Sequence, residues 1–509
     1  MQMDALSPGT PVEHGFHGAP EVRRTATMLR QFARDSAIYG STGVMSAIVS
    51  VALLPLYTRA LTPAEYGVID MLTVLAAIVN VTIALEIWHA VGRFYPDIPD
   101  EAGKVACAST GLWFTALSYG VFFVAILGMS RTVSLWLLDG EARQPVLLLS
   151  VVSLWLWAVT FFSQNLLRIQ LKPVLHAVST CLVLLASTTL AVYLVVGCGW
   201  GLAGLYLGSI LGYAVGGLFS LWATRRSYRL VFDRRKWGAM VGYSLPLMLS
   251  SLGSVALIYV DRVVIKEALS MDDLGVYGVA YRFASGFGLI AVMFQASLGP
   301  MIMSRHSQPG TPSDFARVFK YAIAVLLSAF VAGSILAKEV VSLFTAPSFW
   351  GAADLLPFLI PSAILSSGMY IFAPGLLIAK RTKRFAAIML ISAVLNLLLN
   401  LVLVPSIGTI GAAIASISGF GCWFAMNMLE SQRAYPVPHQ WPRLFLGLLA
   451  AIVGVAVHVV SSHGWMGEEL RLGLASRMLI IMLTCGAIWL LTVGPAELRT
   501  TLTNLIRTP

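Results

Sequence analysis

Arg282 is the residue whose type and position most clearly suggest chemistry. It lies eight residues after Leu274, which places it about 12 Å into a long apolar segment if that segment is helical. A charge at that depth of a membrane costs at least ~2.5 kcal/mol, so the guanidinium should face protein or water. There it could bind an anionic group through two parallel hydrogen bonds. The alternatives are an ion pair with Asp70 on another helix, or a side chain that reaches back to the membrane surface.

Other cations lie near the ends of predicted helices. Three gather at the outer ends, with the acids Glu65, Asp261 and Glu267 alongside: Arg59, Arg262 and Lys266. They could form a gate or a release site for an anion, but paired loop charges that fix helix ends are commoner. Two more lie at the inner end, where an anionic cargo would arrive: Arg93 and Lys104. For these, cations that set the topology are the simpler interpretation.

Two acidic residues of the second predicted helix could bind a coupling proton or cation: Asp70 and Glu86. Intramembrane acids often have that role. Asp70 lies just past the outer end of this helix and Glu86 near its inner end, so both could instead be merely solvated.

Two groups of small or polar residues are better explained by packing. Asn396 and Asn400 are one turn apart on one helix face, where hydrogen bonds between helices explain them without a ligand. Glycines recur at every fourth position, a stripe that permits close helix packing: Gly204, Gly208, Gly212 and Gly216. The five cysteines have neither paired nor metal-type spacing, and we expect no cofactor.

The composition determines the class of protein that must position these residues. Of 509 residues, 58% are hydrophobic and 11% charged, where a soluble domain carries about 25% charged residues. The mean hydropathy is +0.81. This excludes a soluble enzyme, a nucleic-acid-binding domain and a disordered chain. The net charge of +10 needs no acidic partner, because membrane proteins concentrate Lys and Arg on their cytoplasmic side.

The sequence predicts an all-α polytopic membrane protein with about 14 transmembrane helices. The apolar segments are roughly 37–58, 67–90, 105–129, 146–167, 174–196, 201–224, 239–260, 274–298, 321–344, 352–379, 386–404, 408–429, 443–463 and 474–494. Residues 131–145 are predicted to form an interfacial helix. With the N-terminus inside, 25 of the 34 Lys and Arg residues fall on the cytoplasmic side, 8 on the other, and Arg282 within a span. Both termini should therefore be cytoplasmic.

Three matches at nearly one spacing indicate an internal duplication. Residues 61–68 (LTPAEYGV) are matched 208 residues later by 269–276 (LSMDDLGV). Gly201, Gly204, Ser209, Ile210 and Gly212 recur 207 residues later, and 50–53 (SVAL) recurs 204 later. A six-helix unit used twice inserts both copies in the same direction, which predicts two bundles related by a pseudo-twofold along the membrane normal. A central cavity opening alternately to each side would follow; the alternative is an ancient duplication without moving parts.

This pattern divides the chain into five parts. We predict a disordered cytoplasmic tail (1–34), a first six-helix bundle (35–224), a basic cytoplasmic linker (225–238) and a second six-helix bundle (239–430). Two additional helices and a cytoplasmic tail follow (431–509).

Several segments resemble a known family, the polysaccharide-type (Wzx-like) lipid-linked oligosaccharide flippases of the multidrug/oligosaccharidyl-lipid/polysaccharide exporter superfamily. They are 55–67 (PLYTRALTPAEYG), 92–95 (GRFY), 261–266 (DRVVIK), 275–282 (GVYGVAYR), 396–405 (NLLLNLVLVP), 407–408 (IG) and 411–415 (GAAIA). The likeness covers roughly residues 35–430, and it departs in a longer N-terminal tail and in Leu274, where the first copy has Tyr66.

The resemblance implies a multi-pass protein of the bacterial inner membrane that moves an undecaprenyl-pyrophosphate-linked sugar unit, such as an O-antigen or exopolysaccharide repeat, by alternating access. It implies that Arg282 could bind the pyrophosphate. Four polar residues could meet sugar hydroxyls: Asn80, Gln164, Asn165 and Gln295. The expected partners are the lipid-linked glycan, membrane lipids and the pathway's polymerase or glycosyltransferases, with no nucleic acid.

Three other functions remain open. A multidrug or organic-cation antiporter of the same superfamily shares the paired bundles, but an intramembrane arginine favours an anionic cargo. A polysaccharide polymerase needs acceptor-binding outer loops, and here the outer connections are short and carry no catalytic constellation. A membrane scaffold would leave Arg282 without a purpose.

Overall fold

The computed structural model describes residues 43–305 except 44 and 47, residue 308, and residues 310–368, 375–376, 382–462 and 473–500. Within these ranges the secondary structure is helical, without β-strands. Twelve described helices are long and apolar enough to span a membrane, and two shorter apolar helices accompany them. The all-α polytopic class is confirmed, whereas the count of 14 spans stays a prediction. The predicted N-terminal tail and residues 501–509 lie outside the described residues.

The helices of the N-terminal half precede the basic linker. They are α1 (Ile48–Ala60), α2 (Pro63–Thr82), α3 (Ile87–Phe94), α4 (Glu101–Leu138), α5 (Gln144–Ile169), α6 (Pro173–Val192) and α7 (Gly201–Thr224). The C-terminal half comprises α8 (Arg234–Ala268), α9 (Met271–Arg305), α10 (Thr311–Ile335), α11 (Ala337–Phe344), α12 (Ala352–Ser367), α13 (Thr382–Ile407) and α14 (Thr409–Ala434). The last two helices, α15 (Trp441–Ser462) and α16 (Leu474–Thr492), pack on each other and on α10.

Two elements differ from the prediction. The second predicted span is broken between α2 and α3, where Leu85 and Glu86 adopt left-handed backbone angles with φ of 50° and 52°. Helix α4 runs for 38 residues to Leu138, about 57 Å at 1.5 Å per residue, which exceeds the ~30 Å hydrocarbon core. The predicted interfacial helix at 131–145 is therefore wrong, since 131–138 continue α4 until Asp139 ends it with a φ of 55°.

Close packing within the N-terminal half follows the glycine stripe of α7. A Cβ at Gly204 would lie 2.9 Å from that of Leu194, and one at Gly208 would lie 2.6 Å from that of Ala191. A Cβ at Gly212 or Gly216 would overlap side chains of α6. The stripe thus lets α6 and α7 approach to backbone contact.

The two halves meet where α2 and α9 begin. A Cβ at Gly67 would overlap the carbonyl oxygen of Met271, and a Cβ at Gly275 would overlap that of Pro63. Pro63 lies four residues before Gly67, and Met271 lies four residues before Gly275. Each helix therefore presents a glycine to a carbonyl oxygen of the other, and the contact is reciprocal. We call this contact, formed by Pro63, Gly67, Met271 and Gly275, the seam. Segments that match at a spacing of 208 residues in the sequence thus face each other across it.

Candidate functional site: a charged network beside the seam

The start of α2 holds its backbone rigidly where the seam forms. The Thr62 side chain accepts a hydrogen bond from the Glu65 backbone N–H at 3.3 Å, and the Glu65 carboxylate accepts one from the Thr62 N–H at 2.8 Å. This capping box fixes the first turn of α2. One turn after Gly67, the same helix presents Asp70 to α9.

Asp70 is at the centre of the network. Its side chain is 7% exposed, its Oδ1 accepts a hydrogen bond from Nη2 of Arg282 at 2.7 Å, and its Oδ2 lies 3.8 Å from Nε of Arg262. Room for the carboxylate exists because α9 carries Gly278 opposite it, where any Cβ would overlap Asp70. This burial excludes the interpretation of Asp70 as a solvated surface acid. The interhelical ion pair that the sequence left open for Arg282 is present.

Arg262 also forms an ion pair with Asp261, its neighbour in the chain. Its Nη1 donates to Oδ1 of Asp261 at 2.9 Å and to the Ile258 carbonyl at 2.7 Å. The other oxygen of Asp261 accepts hydrogen bonds from the Tyr277 hydroxyl and, at 3.2 Å, from Ser416 Oγ. The Arg262 and Asp261 side chains are 5% and 2% exposed. A buried ion pair is tolerated when its remaining polar atoms are satisfied in this way.

Aromatic rings stack around both guanidinium groups. The Arg262 guanidinium carbon lies 4.3 Å from the Tyr281 ring centroid and 5.0 Å from that of Tyr259. The Arg282 carbon lies 5.2 Å from the Tyr66 ring. These faces stabilise cations in a region of low dielectric constant.

Arg282 differs from the other charged members in its exposure. Its side chain is 33% exposed, against 7% or less for Asp70, Asp261 and Arg262. Its Nη1 is a buried donor that makes no hydrogen bond to the described residues. With two acids and two bases the network is neutral, and only Asp70 belongs to the N-terminal half. An accessible arginine with a spare donor can bind a further anion.

Lys266 forms a second bridge between the halves. Its Nζ donates to the Trp136 carbonyl at 2.6 Å and lies 2.9 Å from Oδ1 of Asp139, both at the end of α4. It also contacts Glu267 at 2.8 Å. Lys266 therefore caps the C-terminus of α4 and does not join the Asp70 network. Arg59 is exposed and has no ion pair with the described residues.

The remaining charged candidates lie at the opposite end of the bundle. Arg93 pairs with Asp97 on its own helix end, which raises the pKa of Arg93, and Lys104 pairs with Glu101 at 3.0 Å. Glu86 occupies the break between α2 and α3, where its carboxylate accepts a hydrogen bond from Trp88 Nε1 at 3.0 Å and lies 3.3 Å from His89 Nε2. The structure does not bring Glu86 to Asp70.

The polar candidates have separate surroundings. Asn396 donates to the Ala415 carbonyl on α14 at 3.0 Å, and Asn400 donates back to Asn396 at 2.9 Å. Asn165 is buried and donates to the carbonyl of Phe161. Asn80 and Gln164 line cavities in the N-terminal half. The side chain of Gln295 lies outside the described residues.

Sequence reasoning did not identify the residues that complete the network. Tyr277 and Ser416 bind Asp261, and Tyr66 and Tyr281 stack on the arginines. A signal was present for two of them, since Tyr277 and Tyr281 are four residues apart, on one helix face, in the segment 275–282 that also contains Arg282. Ser416 could not be found, because it joins from 155 residues away.

Comparisons with known proteins agree with this architecture. A family model described as "Polysaccharide biosynthesis protein" matches residues 56–309. A probable low-salt glycan biosynthesis flippase, Agl15 of Haloferax volcanii, is 25% identical over 185 residues, 36% of this chain and 39% of the relative. An uncharacterised membrane protein of Methanocaldococcus jannaschii is 23% identical over 214 residues, 40% of this chain and 42% of the relative. The chain thus matches about two fifths of the length of these relatives.

Two solved structures share the fold. The lipid II flippase MurJ in an inward closed conformation superposes with a TM-score of 0.67 at 15% identity, over 92% of this chain and 100% of that one. An inward-facing multidrug resistance MATE transporter of the MOP superfamily superposes with a TM-score of 0.57 at 14% identity, over 82% and 96%. At these identities the likeness is one of fold, that of paired-bundle transporters.

Proposed function

Because the chain belongs to the polysaccharide biosynthesis protein family, we propose that it moves a lipid-linked glycan across a bilayer by alternating access. The observation that carries this proposal is Arg282, a partly exposed guanidinium with a spare donor beside the contact between the halves. Arginine binds phosphate oxygens bidentately. The pyrophosphate that links a glycan to its polyprenyl carrier is the anion we assign to it.

In this proposal the Asp70 carboxylate occupies the anion-binding position beside Arg282 until the cargo binds. Without cargo, Asp70 neutralises Arg282 and, more distantly, Arg262. These ion pairs hold the N-terminal half against the C-terminal half. An incoming pyrophosphate competes for Arg282 and weakens this link. Substrate binding would thereby favour separation at the seam, as alternating access requires.

The orientation follows from the charge distribution. From the positive-inside rule we infer that the termini are cytoplasmic, and the seam then lies on the side facing away from the cytoplasm. We propose a multi-pass protein of the bacterial inner membrane that acts as a transporter rather than an enzyme. Glycosyltransferases and a polymerase of the same pathway would supply and consume its cargo, and Arg93 and Lys104 would meet the anionic head at the cytoplasmic end.

An exporter of organic cations is the second candidate, because transporters of that class share the fold. Such a cargo needs an available carboxylate. Asp70 is shared between two arginines and Asp261 is paired with one, so neither offers its charge to a cation. The network therefore favours an anionic cargo.

The test is leaflet exchange in liposomes that contain the purified chain and a labelled polyprenyl-pyrophosphate oligosaccharide. Arg282→Ala should lower the exchange rate roughly tenfold to hundredfold, the range for a lost charged hydrogen bond of about 1.5–3 kcal/mol. The matched control is Arg131→Ala, which removes an exposed arginine paired with Glu141 and should have no effect.

A double variant separates cargo binding from charge balance. Asp70→Asn with Arg282→Ala leaves no unpaired buried acid, so the fold should persist while exchange stays low. Exchange at the wild-type rate in that variant would remove Arg282 from the mechanism. No exchange by a folded wild type under an imposed ion gradient, together with efflux of an organic cation, would establish the exporter instead.

A further inference from the structure

Three helices of the N-terminal half present polar and aromatic faces to one interior. On α2 the face carries Thr73 and Asn80, about 10 Å apart along the helix axis, and Asp70 precedes Thr73 by one turn. On α5 it carries Ser150, Ser153, Trp157 and Gln164, and on α7 it carries Tyr206 and Tyr213, seven residues apart. These spacings place each set on one side of its helix.

Two adjoining cavities lie among these faces. One of about 200 Å³ is lined by α2, α5 and α7, and another of about 270 Å³ extends towards α6; both touch Trp157 and Tyr213. Both are smaller than the roughly 300–1,000 Å³ of sites for drug-sized ligands. Each therefore suits a single ring rather than a large polycyclic molecule.

The lining of both cavities is polar but uncharged. It contains no Asp, Glu, Lys or Arg among the described residues. The Tyr206 and Tyr213 hydroxyls, Ser153 Oγ and the Trp157 indole N–H make no hydrogen bond to any part of the chain that the structure describes. Polar groups in a membrane interior need a partner. A neutral ligand rich in hydroxyl groups satisfies such a lining, whereas a cation or a phosphate does not.

The cavities continue from the charged network. Tyr206 lies close enough to Arg282 and Asp70 to interact electrostatically with both, and more weakly with Tyr213. Trp157 stacks on Phe161 with ring centroids 4.8 Å apart, which holds an aromatic face in place. The route from Arg282 inward thus passes from a cationic group to aromatic rings with free hydroxyls.

We propose that this interior, lined by Asn80, Ser153, Trp157, Tyr206 and Tyr213, is a carbohydrate subsite for the sugar rings nearest the pyrophosphate. The inference rests on the proposed function, because it presumes that Arg282 holds the pyrophosphate. The sugar hydroxyls then bond to the Tyr206 and Tyr213 hydroxyls and to the Asn80 amide, and Trp157 packs on a ring face.

The test compares two labelled lipids in liposomes with the full chain: a polyprenyl pyrophosphate carrying an oligosaccharide, and the same pyrophosphate without sugar. Tyr206→Phe and Tyr213→Phe should each slow exchange of the glycolipid roughly threefold to tenfold, the range for one lost neutral hydrogen bond. Exchange of the sugar-free lipid should not change. Tyr193→Phe, a variant of an exposed tyrosine, is the matched control. Thermal melting verifies that each variant is folded.

Each outcome decides one proposal. Equal slowing of both lipids, or no slowing of either, overturns the subsite while the exchange by wild type upholds the flippase. Absence of exchange for both lipids in the wild type overturns the proposed function, and the subsite with it.

Discussion

Asp70→Asn should open the seam without unfolding the protein. The substitution keeps the shape of the side chain but removes the only acid of the N-terminal half in the network. Arg262 keeps Asp261 as its partner, and Arg282 is 33% exposed, so it can be hydrated. The cost therefore falls on the contact between the halves and not on the fold of either half.

The magnitude follows from the 2.7 Å hydrogen bond between Arg282 and Asp70. A charged hydrogen bond contributes about 1.5–3 kcal/mol, and partial exposure of Arg282 reduces this to roughly 1–2 kcal/mol. The equilibrium between closed and open seam should then shift roughly fivefold to thirtyfold towards open.

Pulsed electron paramagnetic resonance measures this shift. Spin labels at Ala142→Cys and Ser342→Cys, both exposed and on opposite halves, are placed in a chain whose five native cysteines are replaced. Asp70→Asn should increase the population at long distance, and Arg282→Gln should add little to it. The matched control is Asp97→Asn, an acid paired with Arg93 within one helix end. An unchanged distance distribution, or an equal change in the control, would refute the argument.

Three further changes test other contacts. Gly275→Ala should open the seam in the same measurement, because its Cβ would overlap the Pro63 carbonyl; a closed seam would show that the backbone yields. Gly212→Ala should lower the free energy of unfolding by about 1–3 kcal/mol, because the added methyl group overpacks α6 against α7. Gly128→Ala is the control and should leave it unchanged, since a Cβ there has no neighbour within 4 Å. Burial against Phe319 lowers the pKa of His439 to about 4 from its ordinary 6.5. Because the unfolded chain then binds the proton more readily, stability should fall as the pH drops from about 6.5 towards 4; melting curves of His439→Gln should lose that dependence.

The all-α membrane fold class was predictable because the same signal, a long apolar run, recurs along the chain. Long apolar runs predict helices, and the α7 glycine stripe indicates a close neighbour. The break at Leu85 and Glu86 was not predictable, because neither residue favours left-handed angles and apolar composition continues through it. The extension of α4 was missed for the opposite reason: the polar residues Ser130 and Arg131 interrupted the apolar run without ending the helix.

Part of the candidate site could likewise be predicted from the sequence, and part could not. The ion pair of Arg282 and Asp70 was one of the alternatives for a charge at that depth. The sequence groups Arg262 with Arg59 and Lys266 near the outer ends of helices, because position along the chain does not show which face of a helix a residue occupies. In the structure the three point to separate surroundings, and Arg262 is buried beneath Tyr281. The distant partner Ser416 depends on how α14 packs against α8, which no local pattern encodes.

The divergence of the two copies accounts for the location of the site. At the spacing of 208 residues that relates the copies, the position of Asp70 corresponds to Gly278, and that of Arg282 to Val74. Near a twofold axis, equivalent residues from both copies lie close together, so two aspartates there would repel each other. A glycine in the second copy instead makes the space that the Asp70 carboxylate fills, and an arginine one helical turn further neutralises it. Tyr66, which stacks on that arginine, corresponds in turn to Leu274. A symmetric backbone contact with Gly67 and Gly275 therefore carries an asymmetric charged pair, and this asymmetry suits the single anionic cargo that we propose.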